Sequence, residues 1–167
     1  YLSKIVQDMP DSGIKDFFDV ANTMEGALSL GVGEPDFPTP EHVREAAIAS
    51  IKKGDTKYTD NRGTVELRAA AADYLTKFDL HYDKQDEILI TMGASEGIDL
   101  ALRTLVNPGE EVLVAEPSYV SYIPCIELCG GVPVSLKLRA ENKFRLTREQ
   151  LEEKITEKSK VLLISYP

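Results

Sequence analysis

The stretch Ile88-Leu89-Ile90-Thr91-Met92-Gly93-Ala94-Ser95-Glu96 decides the fold, because in it a short apolar run meets a glycine and the start of a helix. A continuous apolar run over residues 88–91 is typical of a strand that is covered on both faces. Apolar residues then recur at helical spacing, at Ile98, Ala101, Leu102 and Leu105. The stretch therefore predicts a strand, a tight turn at the glycine and a helix.

The same alternation of strand and helix continues along the rest of the chain. Short apolar runs predict strands over residues 112–115, 132–138 and 160–165, with a helix over residues 119–129 between the first two. Thr147 and Gln150 have the spacing of a capping box, which marks the beginning of another helix. This order predicts an α/β fold, a mostly parallel sheet flanked by helices. Such a sheet binds ligands beyond the carboxyl ends of its strands.

The region before the sheet has weaker periodicity. Residues 1–40 are expected to form an arm, with one helix near residues 17–24, and a loop shaped by glycines and prolines. The dipeptide Thr39-Pro40 predicts the start of a helix that Gly54 ends. A second helix, over residues 64–78, has an apolar stripe of the kind that faces a core, formed by Leu67, Ala71, Tyr74, Leu75 and Phe78.

Composition narrows the classes of partner. The chain has 167 residues, a formal net charge of -9 and a pI near 4.8, and no nucleic-acid partner is expected because a phosphate backbone needs a basic face. No apolar run is long enough to cross a bilayer, so no membrane partner is expected either. The two cysteines, Cys125 and Cys129, form no disulfide framework, and with both histidines far off in sequence no metal site is predicted. A cytoplasmic protein is expected.

The turn at Gly93-Ala94-Ser95 is the first candidate site. Free backbone N–H groups and the positive end of a helix dipole converge where a strand passes through a tight turn into a helix. Together with the Ser95 hydroxyl they suit a phosphate. Capping of the helix by Ser95 explains the local sequence equally well. The turn has neither the lysine of a P-loop nor the G-x-G-x-x-G pattern of dinucleotide-binding folds.

Three further loop residues are candidates, each with an ordinary alternative. Tyr119 follows a predicted strand and could lie flat against a planar ligand, although packing over the sheet edge is the commoner role of such a residue. Tyr58 lies between two predicted helices and could reach a phosphate oxygen or simply cover a neighbouring surface. Gly33 could let a backbone N–H approach a ligand closely or could serve a tight turn.

These segments occur together and in order, and in this order the chain resembles fold-type I, aspartate-type aminotransferases of class I/II, which depend on pyridoxal 5'-phosphate (PLP). The resemblance covers nearly the whole chain and is carried by residues 30–40, 57–63, 66–68, 91–96, 107–112 and 116–119. By this resemblance, residues 1–40 would be an N-terminal arm and substrate-side loop. Residues 41–167 would be an incomplete PLP-binding large domain.

The resemblance implies a role for each residue that would hold the cofactor. Ala94 and Ser95 would donate to the PLP phosphate, with Gly93 making the turn. Tyr119 would stack on the pyridine ring. Tyr58 would reach the cofactor phosphate of the other subunit in a homodimer.

On the substrate side, the resemblance implies that Gly33 lies against the substrate carboxylate and that Ile14 lines the substrate pocket. The lysine that binds PLP covalently lies beyond Pro167 in family order, and no catalytic residue is assigned in this chain. The expected function of the full-length parent is to transfer an amino group between an amino acid and a 2-oxo acid. The fragment alone is expected to be inactive.

Two other functions stay open. Relatives on the same scaffold include PLP-dependent carbon–sulfur lyases and synthases that act on amino acids. A non-enzymatic nucleotide-binding module with a Rossmann-like sheet is the other alternative, and the missing dinucleotide fingerprint counts against it.

Overall fold

The computed structural model describes residues 1–10, 13, 19–20, 23–26, 33 and 35–165. The chain divides into two compact units. Unit 1 consists of Tyr1–Asp11 and Thr91–Pro167, and unit 2 consists of Ser12–Ile90. The boundary predicted at residue 40 is a different division and stays a prediction. Of the helix predicted near residues 17–24, residues 17, 18, 21 and 22 lie outside the described residues, and residues 19, 20 and 23 are helical.

The sheet of unit 1 has three strands, β1 (Glu111–Glu116), β2 (Val132–Lys137) and β3 (Ser159–Leu163). Their order is β2-β1-β3, and β1 pairs with both neighbours in parallel. Glu111 lies opposite Val132 on one side and opposite Ser159 on the other. Because β1 is central, its residues 112–115 are all buried. The predicted α/β fold with a parallel sheet is confirmed.

The helices whose bounds the structure describes are, in chain order, α1 (Lys4–Asp8), α2 (Glu41–Lys53), α3 (Val65–Leu75), α4 (Gly93–Leu105), α5 (Tyr122–Leu128) and α6 (Arg148–Lys154). Short 3-10 helices cover Thr76–Phe78 and Ala140–Asn142. The capping box predicted at the start of α6 is confirmed, since the Thr147 side chain accepts from the Gln150 N–H and the Gln150 side chain accepts from the Thr147 N–H. None of the helices in the described ranges has the length and apolar character that a bilayer span requires.

The core of unit 1 lies where α4 and α5 cover the sheet. One buried cluster joins residues of α4 and its C-cap, of β1 and of α5, namely Leu102, Val106, Val112, Val114 and Ile126. Burying an aliphatic side chain of this size contributes about 1.5–3 kcal/mol relative to leaving it exposed. The cluster therefore fixes α4, and with it the turn that begins α4, against the central strand.

The prediction of a strand over residues 88–91 is wrong. These residues form neither a strand nor a helix. A strand needs a neighbouring strand for its backbone groups. The Ile90 N–H instead donates to the carbonyl oxygen of Arg62 at 3.0 Å. The helix predicted after the glycine is present as α4.

The ends of α2 agree only in part with the prediction. Gly54 ends α2 with a φ of 85°, in the left-handed region that favours glycine. Pro40, however, is the N-cap of α2 rather than its first helical residue, and the helix begins at Glu41. Proline needs no N–H at either position, so its sequence signal places the helix start only to within one residue.

The apolar stripe predicted on α3 is wrong in part. Ala71 and Leu75 are half-buried, but Leu67, Tyr74 and Phe78 are exposed. The residue that α3 buries most deeply is Arg68, whose exposed fraction is 1%. Hydrogen bonds to its guanidinium, described below, make this burial possible in place of an apolar residue.

Candidate functional site

The turn that begins α4 is held by its own side chains. Gly93 has a φ of 82°, a conformation that favours glycine, and no heavy atom lies within 4 Å of the position that a Cβ would take. The Thr91 hydroxyl donates to the Gly93 carbonyl oxygen at 2.9 Å. The Glu96 carboxylate accepts from the Met92 N–H. These bonds fix the turn independently of any ligand.

The first turn of α4 can accept an anion. The first N–H groups of a helix have no intrahelical acceptor, and those of Ala94 and Ser95 are among them here. Both residues are exposed. The positive end of the helix dipole lies at the same place and favours a negatively charged group. The backbone and the Ser95 hydroxyl thus provide several donors within one short segment.

Tyr119 lies beyond the carboxyl end of β1 and meets this turn. The neighbouring hydroxyls of Ser121 and, to a lesser extent, Ser95 hold the pKa of the Tyr119 phenol below its usual range. Its ring contacts the Tyr122 ring edge to face, with centroids 5.6 Å apart. Tyr119 is 48% exposed, so part of the residue contacts solvent. The structure therefore brings Ser95 and Tyr119 together within unit 1.

The two cysteines are packing residues. Cys125 and Cys129 lie one helical turn apart at the end of α5, are free thiols, and pack against the buried cluster of unit 1. Burial, aided by the charge of Asp99, raises the pKa of the Cys125 thiol. Cys129 donates to the Ile126 carbonyl oxygen at 3.1 Å. The raised pKa of Cys125 disfavours its reactive thiolate.

The remaining candidate residues lie outside unit 1. Tyr58 and Gly33 lie in unit 2 and are exposed, and no heavy atom lies within 4 Å of the position of a Cβ at Gly33. The phenol ring of Tyr58 is therefore available to a partner, and Gly33 has open space beside it. Ile14 lies outside the described residues.

Sequence reasoning missed two residues that shape these loops. Ser121 was not singled out, although it lies two residues after Tyr119 and is the main cause of the lowered pKa of its phenol. Arg68 was noted only as part of the resemblance. A signal was available for Arg68, because it stands on the same helical face as the half-buried Ala71 and Leu75.

Comparisons with known proteins agree with this geometry. The family described as "Aminotransferase class I and II" matches residues 25–167. The chain is 48% identical to YugH of Bacillus subtilis (strain 168), which is named as an aminotransferase, over 100% of this chain and 44% of that protein. It is 41% identical to aromatic-amino-acid aminotransferase 2 of Thermococcus litoralis, over 99% of this chain and 43% of that protein.

Solved structures give the same result. The crystal structure of the aspartate aminotransferase of Thermotoga maritima matches with a TM-score of 0.89 at 34% identity, covering 96% of this chain and 44% of that one. The parallel α/β sheet of unit 1 agrees with this match. The chain belongs to the class I and II aminotransferase family. It spans less than half the length of these relatives.

Proposed function

We propose that the protein containing this chain is a PLP-dependent aminotransferase that moves an amino group between an amino acid and a 2-oxo acid. The observation that carries the proposal is the meeting of Ser95 and Tyr119 at the exposed start of α4. A phosphate-bearing aromatic ligand needs donors for its phosphate and a flat surface for its ring. Membership of the family supports the same assignment.

The residues present fit such a ligand. The Ala94 and Ser95 amides and the Ser95 hydroxyl would hold the phosphate, with Gly93 providing the turn. The half-exposed Tyr119 would lie against the pyridine ring. The positive end of α4 would offset part of the phosphate charge. When bound, PLP supplies an electron sink for the Cα of the amino acid.

The same proposal includes roles for Tyr58, Gly33 and Ile14. Tyr58, with its ring fully exposed, would donate its hydroxyl to the cofactor phosphate of a second subunit, which makes a homodimer the expected assembly. Gly33 and Ile14 would lie on the substrate side. A cytoplasmic location belongs to the same proposal, because the two cysteines of the sequence provide no disulfide framework.

Titration of the full-length protein with PLP and with pyridoxal, which lacks the phosphate, tests the phosphate site. Ser95→Ala removes one donor to a charged group, and PLP affinity is expected to fall about tenfold or more while pyridoxal affinity stays unchanged. Ser3→Ala, at an exposed helix start with no side-chain capping bond, is the matched control and leaves both unchanged. Equal losses for both ligands in Ser95→Ala would contradict the assignment.

An activity assay tests the reaction itself. The full-length protein is expected to transfer the amino group from an amino acid to a 2-oxo acid when PLP is present. Release of sulfide or ammonia without amino transfer would instead identify a lyase on the same scaffold. Tight binding of NAD or ATP with no response to PLP would identify a nucleotide-binding module.

A further inference from the structure

Arg68 is the deeply buried charged residue of unit 2 within the described ranges, with an exposed fraction of 1%. Its Nε donates to the Gly63 carbonyl oxygen at 3.2 Å. Its Nη1 donates to the carbonyl oxygens of Lys84 and Gln85 at 2.8 and 3.0 Å. A buried guanidinium is tolerated only when its N–H groups are satisfied in this way. One side chain on α3 therefore joins the loop before the helix to a turn about twenty residues further along the chain.

The same side chain also reaches the beginning of that loop. Arg68 Nη2 lies 3.7 Å from a carboxylate oxygen of Asp60. The other Asp60 oxygen accepts from the Arg62 N–H at 2.8 Å. That backbone bond, and then the charges of Arg62 and Arg68, hold the pKa of Asp60 below its usual range in spite of some desolvation. Asp60 is thereby kept as an anion facing Arg68.

The loop is closed by a tight contact at its other end. Gly63 has a φ of 91°, and a Cβ there would stand 2.6 Å from Ile90 Cγ1. The Ile90 N–H donates to the Arg62 carbonyl oxygen at 3.0 Å. The backbone from Asp60 to Gly63 is thus held from two directions.

Tyr58 lies two residues before Asp60 and is fully exposed. On its amino-terminal side the chain is also held, because the Asp55 N–H donates to the Ser50 carbonyl oxygen at 3.1 Å. Lys53 lies 3.3 Å from the Asp55 carboxylate. Residues 56–59 form a short segment with both ends fixed and an aromatic ring that contacts solvent.

We propose that Arg68 is a positioning residue for Tyr58, acting through the bonds that hold the loop from Asp60 to Gly63. The inference rests on the proposed function, in which Tyr58 donates to a phosphate of a second subunit. Arg68 itself touches no ligand in this account. Its planar fork binds carbonyl oxygens of two segments at once, and a lysine ammonium cannot reproduce that geometry.

A double-mutant cycle in the full-length protein tests the proposal. Dissociation constants for PLP and for pyridoxal are measured in the wild type, Arg68→Lys, Tyr58→Phe and the double variant. Arg68→Lys and Tyr58→Phe are each expected to weaken PLP binding about fivefold. The double variant should bind PLP about as weakly as Tyr58→Phe alone, because both substitutions remove the same contact between Tyr58 and the phosphate. Pyridoxal binding is expected to stay unchanged. Arg44→Lys, on an exposed position of α2, is the matched control.

The outcomes separate this inference from the function on which it rests. Equal weakening of PLP and pyridoxal in Arg68→Lys, or losses that add in the double variant, would overturn the positioning role alone. Unchanged PLP binding in Tyr58→Phe would overturn both the Tyr58 assignment and this inference while leaving the enzyme class intact. Absence of PLP binding in the wild type would overturn the proposed function.

A second variant covers the case in which Arg68→Lys does not fold. Asp60→Ala leaves Arg68 in place and removes its carboxylate partner from an exposed position. The proposal is supported if Asp60→Ala weakens the binding of PLP but not of pyridoxal. It also requires that Asp60→Ala causes no further loss of PLP affinity when it is added to Tyr58→Phe. An unchanged affinity for PLP overturns it.

Discussion

Each of the two units of this chain is stabilised internally by a different kind of interaction. In the described residues of unit 1, the buried side chains are apolar and surround β1. In the described residues of unit 2, the buried side chain is Arg68, while several large apolar side chains of α2 and α3 are exposed. Apolar burial is non-directional and scales with area, whereas hydrogen bonds to a guanidinium depend on geometry. Substitutions that remove side-chain volume should therefore destabilise unit 1 most. Substitutions that change the backbone geometry should destabilise unit 2 most.

The largest effect is expected in the core of unit 1. Ile126 is fully buried in the cluster, and Ile126→Ala leaves a cavity, so the free energy of unfolding should fall by about 2–5 kcal/mol. Leu128→Ala, on the same helix but 38% exposed, should cost clearly less. Hydrogen exchange followed separately in peptides of residues 91–165 and 35–90 should show the loss first in unit 1. Equal costs for the two variants would mean that burial does not dominate there.

The next largest effect is expected at Gly63 in unit 2. Gly63→Ala would place a Cβ 2.6 Å from Ile90 Cγ1 at a φ of 91°, so about 1–3 kcal/mol should be lost, with faster exchange in peptides of residues 35–90. Gly54→Ala is the matched control, because it has a φ of 85° and no heavy atom within 4 Å of its Cβ position. A loss no larger than that of the control would show that the contact with Ile90 relaxes freely.

A smaller effect is expected at the capping box of α6. Thr147→Ala removes the acceptor for the Gln150 N–H and should lower the free energy of unfolding by about 1 kcal/mol, as measured by denaturant titration. Thr147→Ser keeps the hydroxyl and should restore most of the stability. If the serine variant is as unstable as the alanine variant, the hydroxyl is not the source of the effect.

The smallest effect is expected from the charge of Asp60. Because the folded state lowers the Asp60 pKa, the carboxylate contributes stability that is present above its ordinary pKa and is lost as the pH falls through the lower folded value. Wild type and Asp60→Asn should therefore differ at neutral pH and converge below about pH 4, as followed by exchange in peptides of residues 35–90. A difference that grows with acidity would reverse the assigned sign.

The sequence predicted the structure of unit 1 better than that of unit 2. In unit 1, apolar runs and a capping box were enough to locate all three strands of the sheet and the start of α6, because burial and local capping leave periodic patterns. The run at residues 88–91 was mistaken for a strand, since an apolar pattern does not reveal whether a hydrogen-bonding neighbour exists. In unit 2, the acceptors of Arg68 lie 16 and 17 residues away in sequence, and helical periodicity contains no sign of them.

The candidate site shows both outcomes. Ser95 and Tyr119 were expected beyond the carboxyl ends of strands, and the structure brings their side chains together at the start of α4. Their role in binding PLP stays a prediction, as do the roles of Tyr58, Gly33 and Ile14. Ser121 was not predicted, because a serine two residues after a tyrosine forms no recognisable sequence motif.

The thiol of Cys125 provides a built-in reporter of opening in unit 1. Its sulfur packs against the buried cluster, and its raised pKa keeps it protonated. Alkylating reagents react with exposed thiolates, so the labelling rate would measure how often α5 lifts from β1. No foreign probe would need to be introduced, and any ligand that binds only the folded form of unit 1 would slow the labelling.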